Sequence, residues 1–185
     1  MKKIVMVTSL LLVVCTFHAV AQTDQGDWMV GGGFGFNTAK RNTEINFSPS
    51  AGAFVINNLA VGGNLLIDYN KLGTFKTTSF GIGPFVRYYF RQDNNNVAPI
   101  LHTSFNFLSA KTTSSGFDDI KTNGINFFFG GGAAFFLSQN VSIDALAGYD
   151  YSKYKDTESS SGFKLSVGFQ VYLTKRQINS IKKND

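Results

Sequence analysis

His102, Thr103 and Ser104 form the arrangement in this chain with the clearest capacity for chemistry. In an extended strand, residues two apart project from the same face, so the His102 imidazole and the Ser104 hydroxyl would be neighbours. An imidazole can activate a hydroxyl for nucleophilic attack if an acid orients it. Asp118 and Asp119 are the only acids at a plausible distance downstream.

Metal and nucleotide sites have less support. The glycine runs at 31–35 and 130–132 lie inside predicted strands with no helix after them, unlike the loops that bind phosphates. If the chain is cleaved after Ala21, its one cysteine, Cys15, is lost and His102 remains the best histidine. No cluster then has metal-ligand spacing, and we expect no metal and no cofactor.

The N-terminus has the pattern of an export signal. Lys2 and Lys3 precede an apolar run from Ile4 to Phe17, and the run is shorter than the ~20 residues of a spanning helix. Ala19, Val20 and Ala21 form a small-x-small cleavage site, which predicts a signal peptide at 1–21 and cleavage between Ala21 and Gln22. A lipoprotein acylated at Cys15 is the alternative, although Val14 stands where a small residue is expected.

Charge argues against nucleic-acid binding. Loss of Lys2 and Lys3 leaves 15 of the 17 basic residues against 12 acidic ones, a net charge of +3. The tail at 174–185 itself carries +3, so the remainder is close to neutral and has no concentrated basic face. The charged fraction of 16% is also below that of ordinary soluble domains, which is about a quarter.

Eight segments alternate between apolar and polar residues with a period of two. This is the pattern of β-strands whose two faces meet different environments. Together with the export signal, it points to a β-barrel in a bacterial outer membrane. In the last one, Phe163, Leu165 and Val167 alternate with Lys164 and Ser166. The segments are 28–36, 44–55, 60–69, 78–90, 97–107, 123–136, 141–151 and 163–173.

Charged residues test the assignment of faces, because a lipid-facing arginine or lysine at mid-depth costs ~2 to 4 kcal/mol. All six within these strands lie on the polar face: Glu44, Asp68, Arg87, Asp144, Asp150 and Lys164. A soluble β-sandwich would also alternate, but its edge strands meet water on both sides and would not carry a wholly apolar face. Opposite charges at matched heights should pair inside a narrow lumen: Arg87 with Asp144 near one end, and Asp68 with Lys164 near the other.

The connections alternate in length. Those at 56–59, 91–96 and 137–140 are short and should face the periplasm, whereas those at 37–43, 70–77, 108–122 and 152–162 are longer and should face outside. Pro49 and Pro84 fall inside strands and are expected to mark bulges or bends. The predicted organisation is a linker at 22–27, a barrel domain at 28–173 and a basic periplasmic tail at 174–185.

Across 28–173 the chain resembles the small outer-membrane β-barrel family typified by the OmpA transmembrane domain and OmpX, in the version common in Bacteroidota. The resemblance is carried by FVINNLAVGGNLLIDY at 54–69, FGIGPFVRYYF at 80–90 and the last strand. It implies an all-β fold, an eight-stranded antiparallel up-and-down transmembrane barrel. The last strand also resembles the recognition signal for the barrel-assembly machinery, with Ser166, Gly168, Val171 and Leu173 at the matching positions, although the family usually ends on an aromatic residue there.

We therefore expect a monomeric, non-enzymatic protein of a Gram-negative outer membrane, exported through the secretory pathway, whose role is structural or lies in surface interactions of its outer loops. Lysines in these loops could contact lipopolysaccharide phosphates or an external partner. Two alternatives stay open: a narrow porin-like channel, and a hydrolase. For the hydrolase, His102 and Ser104 resemble the His-x-Ser pair of outer-membrane lipid A deacylases, although both residues fall on the lumen face.

Overall fold

The structure is a computed structural model that describes residues 23–39, 42–73, 75–91, 95–113, 119–155 and 158–175. The eight strands form one closed antiparallel barrel in sequence order, which confirms the predicted fold class. Among the described residues, no helix has the length and apolarity needed to cross a membrane. The strands are β1 (Trp28–Ala39), β2 (Asn42–Ile56), β3 (Leu59–Leu72), β4 (Phe75–Tyr89), β5 (Val97–Thr113), β6 (Ile120–Ser138), β7 (Val141–Tyr154) and β8 (Ser160–Leu173).

Alternation along each strand separates an apolar exterior from a mixed interior. In β6, Phe127 and Phe129 are exposed, whereas Asn126 and Phe128 are buried. The exterior is rich in large apolar side chains that no other part of the protein covers. Such a surface suits lipid and would be an aggregation hazard in water.

The strands extend beyond their predicted ends at the side predicted to hold the long connections. β1 ends at Ala39 and β2 begins at Asn42, and β3 ends at Leu72 and β4 begins at Phe75, whereas Tyr89 and Val97 bound the connection between β4 and β5 at the other end. The predicted alternation of short and long connections was therefore wrong. The predicted loop at 108–122 is mostly strand, because the β5–β6 ladder continues from Leu108 with Gly124 to Thr112 with Ile120. The loop prediction was therefore wrong here. Threonine is common in strands, and the polar composition of this segment reflects exposure to water beyond the membrane and not the end of pairing.

Pro49 and Pro84 were predicted to mark bulges or bends. Neither shifts the strand register, so the prediction of bulges was wrong, and a bend at these residues stays a prediction. Pro49 is aligned with Gly32 of β1, and Pro84 with Gly63 of β3. Pairing of β2 with β3 is interrupted at Pro49, and pairing of β4 with β5 is interrupted at Pro84. Both ladders resume in the same register. A side chain on Gly32 would lie 2.8 Å from the Pro49 Cα, so glycine permits the close approach of these strands.

The end of the barrel that holds both ends of the described chain is closed by a buried cluster and by residues 23–27. Thr23 donates a hydrogen bond to Asn58 Oδ1 at 2.6 Å, and Gly26 N donates to the Phe54 carbonyl at 2.7 Å. Asn58 has a φ of 67°, a left-handed conformation that asparagine tolerates better than most residues. The cluster consists of Met29, Phe54, Ala60, Phe85, Tyr89, Ala98, Ile100, Ala134, Phe136 and Tyr172.

The β1–β8 seam closes the barrel over only part of its height. Pairs run from Trp28 with Leu173 to Phe34 with Val167. Beyond Phe34, β1 continues to pair with β2, and β8 continues to pair with β7 as far as Ser160. Within the described residues, the facing edges of β1 and β8 are therefore unpaired in the half of the barrel away from the closed end.

Candidate functional site

A buried ion pair lies in the lumen near the closed end. Arg87 Nη1 lies 2.7 Å from Asp144 Oδ2, and both side chains are almost fully buried. Ser142 Oγ donates to the other Asp144 oxygen at 2.7 Å. The two charges come from β4 and β7, which are not neighbours in the sheet, so the pair crosses the barrel interior and ties opposite walls together.

Two tyrosines extend this network towards the closed end. Tyr172 OH donates to Tyr89 OH at 3.2 Å and lies 3.0 Å from Ser142 Oγ. Tyr89 OH is 3.5 Å from Arg87 Nη1, and both tyrosines are completely buried. The sequence interpretation did not single out either tyrosine. The sequence could have indicated them, because both tyrosines fall on the lumen face of their strands and Tyr89 stands two residues after Arg87.

His102 belongs to the same network. Its Nδ1 accepts a hydrogen bond from Arg87 Nε at 3.2 Å, and its ring lies between Phe85 and Phe128. Ser104 Oγ accepts from Asn106 Nδ2 at 3.5 Å. A histidine that activates a hydroxyl needs an acid to orient its imidazole. The group that contacts His102 Nδ1 is instead the guanidinium of Arg87, a cation.

The acids considered for His102 are not beside it. Asp118 lies outside the described residues, and Asp119 is exposed at the far end of β5 and β6, where Lys111 Nζ is 2.6 Å from its Oδ2 and Thr113 donates to its Oδ1 at 2.8 Å. The hydrogen bond from Lys111, followed by that from Thr113, holds the pKa of the Asp119 carboxyl below its usual range. Asp119 is therefore a surface anion at the rim.

Asparagines connect the strands in the upper lumen. Asn64 Nδ2 donates to Asn106 Oδ1 at 2.9 Å, and Asn106 Nδ2 donates to Asn126 Oδ1 at 3.2 Å. Asn126 Nδ2 in turn contacts Asp150 Oδ1 at 3.1 Å. Such a chain satisfies most of its members and fills the interior of a narrow barrel.

The second predicted ion pair is wrong in its partner. Lys164 Nζ lies 3.7 Å from Asp150 Oδ1, and Asp68 instead accepts a hydrogen bond from Asn46 Nδ2 at 2.7 Å. Asp150 aligns with Gly162 across the β7–β8 ladder, and Lys164 is the next lumen-facing residue on β8. Neighbouring strands thus bring Lys164 to Asp150, whereas Asp68 stands on β3.

A cavity of about 420 Å³ occupies the lumen above the Arg87–Asp144 pair. Asn64 and Gln170 are among the residues that line it. Their side-chain oxygens, Asn64 Oδ1 and Gln170 Oε1, are buried and have no hydrogen-bond partner. Its wall includes residues from both sides of the partly open seam, namely Gly32, Gly33, Phe34 and Gly35 of β1 and Lys164, Leu165, Ser166, Val167 and Gly168 of β8. No group of three or more His, Cys, Asp or Glu side chains that could hold a metal occurs among the described residues.

Exposed lysines surround the outer ends of the strands. Lys71 of β3 aligns with Lys76 of β4, and Lys111 of β5 aligns with Lys121 of β6. Lys71 shares the outward face of β3 with Ile67, and Lys111 shares that of β5 with Phe107. We call Lys71, Lys76, Lys111, Lys121 and Lys153 the lysine girdle; the sequence interpretation had assigned these residues to loops, whereas the structure places all five in strands. Lys40 and Arg41, also assigned to a loop, lie outside the described residues.

The structure describes only some of the candidate targeting residues. Ala21 and Gln22 lie outside the described residues. The four residues that match the assembly signal are all in β8: Ser166 and Gly168 are partly buried on the lumen face, whereas Val171 and Leu173 occupy the outward face near the closed end. Their role in assembly stays a prediction.

Comparisons with known proteins agree on the architecture. A family described as "Outer membrane protein beta-barrel domain" matches residues 7–178. Neisserial surface protein A is 24% identical with a TM-score of 0.59, and the alignment covers 78% of this chain and 95% of that one. Ail, the attachment invasion locus protein of Yersinia pestis, is 16% identical with a TM-score of 0.54, covering 80% and 99%.

The N-terminal β-barrel domain of Pseudomonas aeruginosa OprF is 10% identical with a TM-score of 0.53, and the alignment covers 80% of this chain and 98% of that one. At these identities the solved structures are similar to this chain in fold alone. No curated protein sequence matches the chain.

Proposed function

The chain belongs to the outer membrane protein beta-barrel domain family, and on this basis we propose that it is a closed, non-enzymatic barrel that acts through the outer ends of its strands. The observation that carries this proposal is the lysine girdle. Like charges directly opposite each other in a sheet are destabilising, and two such pairs, Lys71 with Lys76 and Lys111 with Lys121, stand side by side at one rim. An anionic partner would relieve that repulsion.

The position of the girdle favours the headgroups of the outer leaflet as this partner. The lysines share the outward face with the apolar band, so they lie at the level where membrane headgroups begin. Lipopolysaccharide phosphates supply multiple negative charges at that level. Asp119 balances Lys111 in part, whereas no ion pair involving Lys71 or Lys76 occurs among the described residues.

A binding measurement with matched variants tests the proposal. We expect Lys71→Gln/Lys76→Gln to weaken binding of diphosphorylated lipid A to the protein in phosphatidylcholine nanodiscs by about 30-fold, from about 1 kcal/mol for each lysine near a charged surface. The matched control is Lys175→Gln/Lys182→Gln, which removes two charges from the tail. Equal affinity of the wild type and the girdle variant, or an equal loss in the control, would refute the assignment.

A diffusion channel is the less favoured alternative because of the closed end. Met29, Tyr89 and Tyr172 are fully buried there and fill the lumen below the ion pair. We expect the purified protein to show no steady conductance step in planar bilayers. Reproducible single-channel steps from the wild type would overturn the closed-barrel proposal without bearing on the girdle.

A further inference from the structure

Four of the five girdle lysines lie together on one wall of the barrel, formed by β3 to β6. Lys71 aligns with Lys76 across β3 and β4, and we call them the first pair. Lys111 aligns with Lys121 across β5 and β6, and we call them the second pair. The β4–β5 ladder makes the pairs adjacent, because Lys76 aligns with Thr113, two residues beyond Lys111. All four lysines are exposed.

The spacing of the two pairs follows from the geometry of the sheet. Their midpoints are two strands apart, which is about 9.6 Å at a strand spacing of about 4.8 Å, and two residues apart along the strands, which is about 6.6 Å. The Cα midpoints of the pairs are thus about 12 Å apart. A charge-assisted hydrogen bond spans only about 2.8 Å, so each pair can hold a phosphate of its own.

The second pair already binds an anion that the chain itself supplies. Lys111 Nζ lies 2.6 Å from Asp119 Oδ2, and Thr113 Oγ1 donates to Asp119 Oδ1 at 2.8 Å. The pKa of the Asp119 carboxyl is lowered by Lys111 and Thr113 and, to a smaller extent, by Lys121. An ammonium group and a hydroxyl that hold two oxygens of one anion are also suitable donors for the oxygens of a phosphate.

The first pair differs from the second in this respect. Among the described residues, no carboxylate forms an ion pair with Lys71 or Lys76. A phosphate can therefore bind the first pair without displacing an internal group, whereas it must displace Asp119 from the second. Because Asp119 and Lys111 are both exposed, water solvates them when they separate and the displacement costs little.

We propose that this wall binds one lipid A headgroup by both of its phosphates, one on the first pair and the other on the second pair in place of Asp119. The inference rests on the proposed function and adds the location of the ligand, the number of phosphates that it uses and the group that competes with it. The two phosphates of lipid A stand at opposite ends of a disaccharide, so the headgroup carries two separated charges, as the wall does. Two lipid molecules, one on each pair, are the competing arrangement.

Binding of three forms of lipid A to the protein in phosphatidylcholine nanodiscs tests the proposal. The forms carry a phosphate at each end of the disaccharide, a single phosphate, or a pyrophosphate at one end. Two lysines favour the second phosphate and one carboxylate opposes it, at about fivefold in affinity for each charge. We therefore expect the form with separated phosphates to bind about fivefold more tightly than the monophosphorylated form, and also more tightly than the pyrophosphate form.

Removal of the internal competitor provides the decisive variant. Asp119→Asn should raise the preference for separated phosphates over a single phosphate to about 30-fold, because only the two favourable charges remain. The matched control is Glu158→Gln, which removes an exposed carboxylate before β8, outside the wall, and should leave the preference at about fivefold. Lys111→Gln/Lys121→Gln should abolish the preference, because the second phosphate then has no lysine to bind.

The outcomes separate this inference from the proposed function. If Lys71→Gln/Lys76→Gln weakens binding but the wild type binds all three forms equally, the girdle binds phosphate and the two-point arrangement is overturned. Two lipid A molecules retained per protein in native mass spectrometry, or an equal change of preference in Asp119→Asn and Glu158→Gln, would likewise overturn it. If the wild type binds none of the three forms, the proposed function fails and the inference fails with it.

Discussion

At the scale of single residues, the lumen is organised by one cation. Arg87 contacts Asp144, Tyr89 and His102, which stand on three different strands. Its charge could be assigned to the lumen from the sequence, because a period of two fixes the face of each residue. Its partners depend on strand register and side-chain reach. Asp144 was expected from its height, whereas His102 as an acceptor for Arg87 was not.

Breaking the buried Arg87–Asp144 pair should strongly destabilise the barrel. We expect Arg87→Met to lower the free energy of unfolding by ~3 to 5 kcal/mol, because it leaves the Asp144 carboxylate buried without its counter-ion. The double variant Arg87→Met/Asp144→Leu should recover much of that loss. Denaturant unfolding in lipid vesicles, followed by the fluorescence of Trp28, measures both.

The control for this prediction is the exposed pair at the rim. Lys111→Met breaks the contact with Asp119, where both side chains are more than 40% exposed, and should leave the free energy of unfolding almost unchanged because water screens the pair. If Arg87→Met were as mild as Lys111→Met, the buried pair would have no special structural role.

The contacts of His102 also bear on the hydrolase alternative. Because its Nδ1 faces Arg87, and because Ser104 contacts Asn106, we expect expression of the wild type to leave the acylation pattern of lipid A unchanged. His102→Ala and Ser104→Ala should likewise leave it unchanged. Mass spectrometry of extracted lipid A measures this, and an acyl chain removed by the wild type but not by either variant would establish the deacylase.

At the scale of the strand, alternation was sufficient to identify all eight elements and the face of their charges. It did not locate the strand ends. In β5 and β6 the pattern of apolar residues stops where the membrane stops, yet hydrogen bonding continues to Thr112 with Ile120. Sequence periodicity shows which environment each face of a strand meets. Where both faces meet water, beyond the apolar band, strands still pair but their sequence has no apolar alternation. Pro49 and Pro84 do not form the predicted bulges, since a missing donor interrupts the hydrogen-bonded rows without changing the register.

Substitutions on the two faces of β6 should have different costs for different reasons. Phe129 is 49% exposed on the outward face, so Phe129→Arg should destabilise the barrel in bilayers by ~2 to 4 kcal/mol. Phe129→Leu is the control and should cost far less. Asn126→Arg meets the lumen instead, where its cost is set by space and offset by Asp150, which already accepts a hydrogen bond from Asn126.

Unfolding measurements in vesicles of increasing acyl-chain length distinguish these costs. The penalty of Phe129→Arg should depend on bilayer thickness, because it arises from lipid contact. The penalty of Asn126→Arg should not. Equal and thickness-independent effects at both positions would show that β6 does not face lipid as described.

At the scale of the whole molecule, the barrel has two unlike ends. One holds the buried cluster and both ends of the described chain, and the other holds the lysine girdle. An even number of strands returns the chain to the side on which it started, and we expect that side to be the periplasm. Export should precede assembly of the barrel, so cleavage of the N-terminal signal can be tested separately.

Cleavage of the signal peptide is expected between Ala21 and Gln22. N-terminal sequencing of protein purified from outer membranes should begin at Gln22, or give the blocked terminus that a cyclised glutamine produces. Mass measurement covers the blocked case, because it reports the loss of residues 1–21. An intact Met1 would contradict the export assignment, and a lipid attached to Cys15 would replace it with lipoprotein anchoring.

The orientation of the two ends can be measured by cysteine labelling, since loss of Cys15 with the signal peptide leaves a mature chain without thiols. Glu158 lies exposed before β8 on the side of the lysine girdle, and Gln139 lies exposed in the two-residue turn between β6 and β7. We expect Glu158→Cys to react with a membrane-impermeant maleimide on intact cells. Gln139→Cys should react only after the outer membrane is permeabilised, because it lies at the same end as both ends of the described chain, which we expect to face the periplasm. Labelling of Gln139→Cys but not Glu158→Cys on intact cells would invert the barrel and move the lysine girdle away from the lipopolysaccharide it is proposed to bind.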